Sequence, residues 1–478
     1  MDRLLKIGAA CIIVALSVLY FAGQRKNPPG FDADESSIAY NALTISRGGV
    51  DEYGVSWPLY FRSFGEYKNP TFIYLMAGVF KVLGPTALTP RRLSATLGLA
   101  AAIVLGWLAW KVTRRGAVAL LTFVFAALTP LFFEVSRLAL EVAMFPVVLA
   151  LFLVAARRAY EQPRWRPGLI AALLGTLVLV TYTYTAGRLL GPVFALLLGI
   201  FLTRERRNAF VAICVLYALT LVPMFVINAR VGGVLLHRPS VELNAKLEHV
   251  TAWDYAKQYA ANLDPIRFAL RGDPNWFHHV PNSGGSILLM TPLLAVIGVA
   301  YTFRDRWTWF LVLAALAAIV PVAITINVHH ALRLTGYVVL LSALCIPAFD
   351  LLLSPETSRP LRGVLAAGIV VGLLQAAFFF YVFHRDGATR RFDFHAGAQA
   401  AINDALDQTP RPIYMTPGPG YVHAYWFGAL RGAKRSDFAT LERGVKPPHG
   451  SIVLAGTFPP EGGIPIGTHG RFGAYFVP

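Results

Sequence analysis

The sequence predicts a polytopic α-helical membrane protein with about eleven transmembrane helices and a small extracytoplasmic α/β domain at its C-terminal end. Two compositional observations point this way. Hydrophobic residues make up 56% of the 478-residue chain and charged residues only 14%, and the mean hydropathy is +0.54. A soluble chain would need an unusually large core to bury that much apolar surface, so a bilayer is the better environment.

The third observation is a series of eleven near-continuous apolar runs, each of roughly the length that crosses about 30 Å of hydrocarbon. The runs cover residues 7–22, 93–110, 117–132, 142–156, 169–182, 189–202, 210–227, 287–301, 309–326, 334–353 and 364–383. No small-residue cleavage site follows the first run, so we expect an uncleaved span rather than a signal peptide. A further apolar run, 70–83, is short for a span and predicts a helix lying in the membrane interface.

The net charge of +17 reports membrane topology rather than a nucleic-acid partner. Basic residues gather in alternate, short connections between the runs, which is the regime in which the positive-inside rule holds. The rule places the N-terminus in the cytoplasm and the C-terminal tail outside, and basic loops also contact anionic membrane lipid. We therefore expect a multi-pass protein of a bacterial inner (plasma) membrane. The basic clusters are Lys111, Arg114 and Arg115; Arg157, Arg158, Arg164 and Arg166; Arg204, Arg206 and Arg207; Arg304 and Arg306; Arg359 and Arg362.

Three segments depart from the membrane pattern, and this topology places all three outside. They are a first external loop, 23–92, a second, 228–286, and the C-terminal segment 384–478, whose composition becomes soluble. The last segment predicts a helix at 396–406 and strands at 412–416 and 451–455. The expected domains are thus a transmembrane domain, 1–383, and an extracytoplasmic α/β domain, 384–478.

Ionisable and aromatic residues from distant parts of the sequence gather at the outer ends of the spans. Such residues need an explanation, because charge near a bilayer is costly and marks function. The candidates are Asp34, Glu35, Lys68, Arg137, Glu141, Tyr184, Arg188, His330 and Arg333.

Most of these candidates also have a purely structural explanation. Asp32 is placed to cap a helix over 34–47, and acids in its first turn would complement the helix dipole. The spacing of Glu134, Arg137 and Glu141 allows pairs within one helix, and Arg188 and Arg333 could reach lipid phosphates. The histidine pairs at 278–279 and 329–330 are weak evidence for a metal, so we assign no metal site and leave a divalent metal ion open as a cofactor.

Four segments carry a resemblance to a known family: 30–42 (GFDADESSIAYNA), 64–70 (FGEYKNP), 136–141 (SRLALE) and 182–188 (YTYTAGR). The first resembles the Asp-Glu motif of the GT-C superfamily, in the branch of protein O-mannosyltransferases and aminoarabinose lipid A transferases. The other three segments agree in order, and the similarity covers about the first 200 residues well. One departure is visible, because the family usually reads Lys-Pro-Pro where this chain has Lys68-Asn69-Pro70.

The resemblance implies a GT-C-like integral membrane glycosyltransferase that moves a sugar, with inversion, from a polyprenyl-phosphate carrier to a glycolipid, polysaccharide or protein acceptor. It implies Asp34 as the catalytic base or the residue that orients the acceptor, and we count the neighbouring Glu35 as a second candidate catalytic residue. It also implies that Lys68 and Arg137 contact the carrier phosphate. Substrate or phosphate binding is expected of the remaining candidates, which are Glu141, Tyr184, Arg188, His330 and Arg333.

Two other functions remain as alternatives. A secondary transporter would be expected to show internal repeats and charges near mid-membrane, and the sequence has neither. A polymerase or ligase of surface polysaccharide would also use external loops and arginines, but would not need the Asp-Glu loop.

Overall fold

The computed structural model describes residues 3–231, 251–325, 328–418 and 420–478. Helices dominate as far as residue 386, and a mixed sheet with two helices follows. Six helical segments in the described residues are long and apolar enough to cross a membrane, as expected of a multi-pass membrane protein. They are Thr89–Thr113, Glu141–Glu161, Arg204–Val231, Arg306–Ala323, Ala331–Leu353 and Arg359–Thr389.

Six further apolar helices are shorter, so the number of eleven spans stays a prediction. They are Ile7–Phe21, Pro70–Leu83, Gly116–Leu128, Pro167–Thr183, Thr185–Phe201 and Thr291–Thr302. The second of these has the bounds predicted for the interfacial helix. At 14 residues it is about 21 Å long, less than the roughly 30 Å of a hydrocarbon core.

The helices of the membrane part are α1 to α18, and several are joined by short breaks. In chain order they are α1 Arg3–Phe21, α2 Ala33–Gly48, α3 Pro70–Leu83, α4 Thr89–Thr113, α5 Gly116–Leu128, α6 Pro130–Val135, α7 Phe145–Glu161, α8 Pro167–Thr183, α9 Thr185–Leu197, α10 Arg207–Val231, α11 Ala252–Asn262, α12 Pro265–Arg271, α13 Thr291–Thr302, α14 Arg306–Ala317, α15 Val320–Ala323, α16 Ala331–Leu344, α17 Ile346–Leu353 and α18 Arg359–Asp386.

Prolines account for the breaks inside two predicted spans. The run 117–132 is divided at Thr129, whose backbone is extended because Pro130 follows and begins α6. The run 334–353 is divided at Cys345, two residues before a proline in the first turn of α17. Both divided pairs remain helical on either side, so the prolines bend the path without ending it.

Small residues allow the membrane helices to approach closely. A β-carbon on Gly106 of α4 would lie 2.9 Å from the carbonyl oxygen of Ala119 in α5. One on Gly298 of α13 would lie 2.1 Å from the carbonyl oxygen of Leu344 at the end of α16. Neither contact leaves room for a side chain, which is the way small residues let helix backbones meet in membranes.

The predicted first external loop folds into α2, a short hairpin and α3. Asp32 caps α2 and forms a reciprocal capping box with Glu35, as the spacing of these acids favours. The hairpin pairs β1 (Phe61–Ser63) with β2 (Glu66–Lys68). Its two-residue turn, Phe64-Gly65, has φ values of 51° and 83°, which is the geometry of a tight type I′ turn.

The described part of the predicted second external loop contains α11 and α12. Residues 232–250 of that predicted loop lie outside the described residues.

The C-terminal segment forms a five-stranded sheet with the order β4-β3-β5-β7-β6. Strand β3 is parallel to β4 and β5, and β7 is antiparallel to β5 and β6. Helices α19 (Ala398–Leu406) and α20 (Tyr421–Leu430) accompany it. The strands are β3 Ile413–Met415, β4 Phe438–Thr440, β5 Ser451–Ala455, β6 Ile464–His469 and β7 Phe472–Val477.

Helix α20 attaches the sheet domain to the membrane part through aromatic side chains. The ring of Trp426, which is fully buried, stacks on Phe80 of α3 with centroids 5.7 Å apart. Tyr425 meets Tyr40 of α2 at 5.4 Å. Because α20 is buried along most of its length, these contacts fix the domain directly above α2 and α3.

Candidate functional site

A cavity of about 410 Å³ opens beside the N-terminal end of α2. It collects side chains from α2, the hairpin, the segment before α7, the start of α9, the loop before α13 and the start of α16. All of the predicted site residues except Glu35 and Arg137 line it. Those that do are Asp34, Lys68, Glu141, Tyr184, Arg188, His330 and Arg333.

The carboxylate of Asp34 is the acid that α2 presents to this cavity. Asp34 lies in the first turn of the helix, where its side chain is 39% exposed, and Lys68 Nζ donates to its Oδ1 at 2.6 Å. The lysine reaches it from the end of β2, because the tight turn folds the hairpin back. Asp32 also lines the cavity, but its carboxylate accepts from the Asp34 amide at 2.8 Å as the helix cap. Burial, together with the charge of Asp34, raises the pKa of Asp32 to about 7.

Asn69 connects the buried carboxylate of Glu141 to the guanidinium of Arg188. Its backbone amide donates to Glu141 Oε1, and its side-chain nitrogen donates to Oε2 at 3.0 Å. Its side-chain oxygen accepts from Arg188 Nη2 at 2.8 Å and Nε at 3.0 Å. Asn69 thus bridges the carboxylate of Glu141 and the guanidinium of Arg188, and it holds the guanidinium at the cavity wall.

The break between α8 and α9 positions Arg188. Tyr184 is extended there, with φ −148° and ψ 150°. A β-carbon on Gly187 would lie 1.8 Å from the carbonyl oxygen of Val180, so only glycine allows the first turn of α9 to pack on the end of α8. That turn directs Arg188 toward Asn69.

The opposite wall holds a cluster that could bind a metal ion. Asp273, His278 and His330 each offer one ligand atom, and these atoms lie within 4.8 Å of one another. Asp273 Oδ2 is 2.8 Å from His278 Nδ1 and accepts from the Ala331 amide at 2.6 Å. The carboxylate of Asp273 therefore also orients the imidazole of His278. Imidazole and carboxylate donors suit a divalent transition metal, which would add positive charge to the cavity.

Glu35 faces away from the cavity, although it follows Asp34 directly. Its side chain is 0% exposed and pairs with Arg91, which is 3% exposed, at 2.7 Å. Its two oxygens also accept from the amides of Ala139 at 2.8 Å and Asp32 at 3.1 Å. Glu35 thus joins α2 to α4 and to the segment before α7.

Arg137 also lies outside the cavity lining. It is 1% exposed, and its guanidinium donates to the carbonyl oxygens of Leu19 at 2.8 Å and Asn27 at 3.4 Å while lying over the ring of Phe133. Glu134 and Glu141 do not pair with Arg137 within one helix, as their spacing allowed. Glu134 pairs with His279 at 2.6 Å, and Glu141 bonds to Asn69. The reason is that the chain leaves the α-helix after Val135, so helical spacing does not apply.

Sequence reasoning missed Arg91, Asn69 and Asp273 as parts of this region. Of these three, only Asn69 could be noticed in the sequence, because it stands where the chain departs from the family's Lys-Pro-Pro pattern. Proline there would have neither the amide hydrogen nor the side-chain amide that hold Glu141. The departure thus identifies a residue with its own structural role.

Comparisons by sequence find no match, neither to a protein-family model nor to a curated protein. Solved structures do match. ArnT from Cupriavidus metallidurans bound to undecaprenyl phosphate superposes with a TM-score of 0.58 at 13% identity, covering 98% of both chains. The archaeal oligosaccharyltransferase AglB from Archaeoglobus fulgidus, in complex with an inhibitory peptide and a dolichol-phosphate, gives 0.51 at 14% identity. That match covers 90% of this chain and 64% of AglB. Both neighbours belong to the GT-C superfamily, so the predicted resemblance is confirmed at the level of the fold.

Proposed function

We propose that this chain transfers a sugar from a polyprenyl-phosphate carrier to an acceptor hydroxyl in the cavity at the start of α2. The observation that carries the proposal is the ion pair of Asp34 and Lys68 in a cavity that Arg188 and Arg333 also line. The GT-C fold supports it, since ArnT is known with undecaprenyl phosphate and AglB with a dolichol-phosphate. We further propose that the cavity faces the extracytoplasmic side, as the basic loops predict.

The reaction needs one base and several cations. The acceptor oxygen forms a bond to the anomeric carbon, the bond from that carbon to the phosphate oxygen breaks, and the carrier phosphate leaves as an anion with inversion at carbon. The acceptor proton passes to Asp34. Because phosphate is a stable leaving group, no second carboxylic acid is required, unlike in the glycoside hydrolases. General-base help of this kind typically contributes about 10²–10⁴-fold.

The cations of the cavity are assigned to the departing phosphate. When the donor binds, the Lys68 ammonium would donate to the phosphate as well as to Asp34. Arg188 and Arg333 would stabilise the negative charge that develops on the phosphate. Tyr184 and His330 would contact the sugar or acceptor. The resemblance implied Arg137 on the phosphate, but its carbonyl partners favour a role in holding α1 against the site. Similarly, we assign Glu35 a positioning role rather than catalysis.

The test compares two neighbouring aspartates. Purified protein would be given polyprenyl-phosphate sugar and a crude envelope acceptor fraction. We expect Asp34→Asn to transfer sugar at least about 100-fold more slowly while still binding donor. Asp32→Asn is the matched control, because asparagine caps a helix about as well as aspartate. Transfer by Asp34→Asn at the wild-type rate, with loss in Asp32→Asn, would show that the base is assigned to the wrong carboxylate.

The alternatives predict other outcomes of the same experiment. A secondary transporter would give no covalent product with any donor lipid. A polymerase or ligase of surface polysaccharide would use a polysaccharide on the carrier rather than a single sugar. The acceptor would be identified by mass spectrometry of envelope glycolipids, polysaccharides and glycoproteins with and without the gene.

A further inference from the structure

A second cavity, of about 310 Å³, lies within the C-terminal domain. It is placed where the parallel strands β3 and β5 end, and Thr416, Gly418, Gly456 and Thr457 follow those ends and line it. From β3 the chain continues to β4 on one side of the sheet, and from β5 it continues to β6 and β7 on the other side, so the connections of these two neighbouring strands diverge. In open α/β sheets such a divergence leaves a crevice at the carboxyl ends of the strands, and ligands bind in it.

Arg471 is the charged side chain in this cavity. Its guanidinium lies 4.1 Å from the ring centre of Phe392 and 5.2 Å from that of Phe472. Within the described part of the chain, its Nε atom is buried and has no hydrogen-bond partner, and the cavity lining contains neither aspartate nor glutamate. The carboxylates of Asp393 and Asp32, which lie outside this lining, act on the guanidinium through charge. The unpaired Nε atom still leaves a charged donor that an anion in the cavity would accept from.

Two histidines form the inner wall and add no charge at neutral pH. His395 Nδ1 lies 2.7 Å from His423 Nε2, and His423 Nδ1 lies 2.7 Å from the hydroxyl of Ser36 in α2. Burial lowers the pKa of His395 to about 4 and that of His423 to about 3. Arg471 is therefore the source of positive charge, and the histidines offer neutral polar groups that lead to the helix carrying Asp34.

The start of α20 adds a second attraction for an anion. Gly420 is the N-cap of this ten-residue helix, and among the described residues no side chain caps its first amides. Helix N-termini favour negative charge. Apart from chain neighbours, no atom of the described residues lies within 4 Å of a β-carbon at Gly420 or at Gly456, so the backbone here borders open space. The remaining wall is apolar and includes Ile402, Met415 and Leu454.

We propose that the C-terminal domain binds a small organic anion in this cavity. A phosphate or carboxylate group would lie against Arg471 and the start of α20, and a compact uncharged body would contact the apolar wall. This site is separate from the cavity of Asp34 and does not rest on the proposed transfer reaction. Its occupant would contact the histidine pair and through it α2.

Calorimetry on the full-length protein in detergent tests the proposal. The probes are inorganic phosphate, glycerol 3-phosphate as a headgroup mimic, and benzoate as a free carboxylate. We expect saturable binding of at least one probe, and the preferred probe distinguishes a lipid headgroup from a free anion. Arg471→Gln should weaken that binding by roughly tenfold or more, because it removes a charged hydrogen-bond donor.

A second variant tests the cavity without changing charge. Gly456→Leu should fill the cavity and abolish binding, since its β-carbon meets no neighbour. Arg431→Gln is the matched control: this exposed arginine pairs with Asp407 in the same domain and should leave binding unchanged. Thermal unfolding of each variant would confirm that it is folded. No saturable binding to the wild type, or equal binding by wild type, Arg471→Gln and Gly456→Leu, would overturn the proposal.

Discussion

The buried pair of Glu35 and Arg91 allows a sharp test of whether the second acid of the Asp-Glu motif is catalytic or structural. The carboxylate receives two bonds from the guanidinium, at 2.7 and 3.0 Å, and two more from backbone amides. Arg91 also donates to the carbonyl oxygens of Pro28 at 2.8 Å and Gly30 at 2.7 Å. All these groups are out of water, so every donor needs its acceptor.

Removing one partner leaves a buried charge without compensation. We therefore expect Glu35→Ala to lower the free energy of unfolding by about 3–5 kcal/mol, and Arg91→Ala to do the same. The double variant should lose less than the sum of the two, by about 2–3 kcal/mol, because it removes both charges together. Unfolding in one fixed detergent, followed by tryptophan fluorescence, measures all four proteins.

The control is the exposed pair of Lys446 and Glu461, with side chains 82% and 84% exposed. Glu461→Ala should leave stability unchanged, because solvent already screens that pair. The decisive variant is Glu35→Gln, which keeps the size of the side chain. If it folds with wild-type stability but transfers sugar about 100-fold more slowly, Glu35 is catalytic and the positioning role is wrong.

Three further predictions concern other parts of the chain. Asn69→Pro restores the family's usual residue but removes both donors to Glu141. It should therefore raise the KM for donor lipid roughly tenfold or more, and an unchanged KM would show that donor binding does not depend on Asn69. In a cysteine-free background, Lys446→Cys should react with an impermeant thiol reagent in intact cells and Arg164→Cys should not; the reverse result would invert the topology. The pKa values of His395 and His423 are lowered by burial, to about 4 and about 3, whereas unfolded histidine titrates near about 6.5. The unfolded state then binds more protons as pH falls from about 6.5 toward 4, so stability should decline across that window, and Ala substitution of both histidines should flatten the decline in thermal scans.

Helices of the membrane part are predictable from the sequence, because bilayer thickness sets the length of an apolar run. The helix Pro70–Leu83 has the bounds expected from its apolar residues and its first proline. Asp32 caps α2 as its spacing indicates, since capping depends on neighbours within one turn. Local rules also placed a strand at Ser451–Ala455.

The rest of the C-terminal domain was not predictable in the same way. Helix Tyr421–Leu430 and strands Ile464–His469 and Phe472–Val477 were missed. Glycine and proline interrupt the two strands, and the helix is apolar on all sides. Such a helix has no amphipathic period, because it is covered on one side by the sheet and on the other by α2 and α3.

The amino-acid pattern alone indicates that the chain belongs in a membrane, roughly where its apolar helices lie, and which polar residues need an explanation. The different roles of two adjacent acids, in contrast, follow from the three-dimensional contacts of each side chain. Asp34 and Glu35 are both acids of the motif and lie in the same turn of α2. The side chain of Asp34 nevertheless points to the cavity, and that of Glu35 points to Arg91. The physical reason is that a carboxylate's role depends on what surrounds it. The partners that separate these two roles come from residues 34 to 104 positions away in the chain, which no local pattern records.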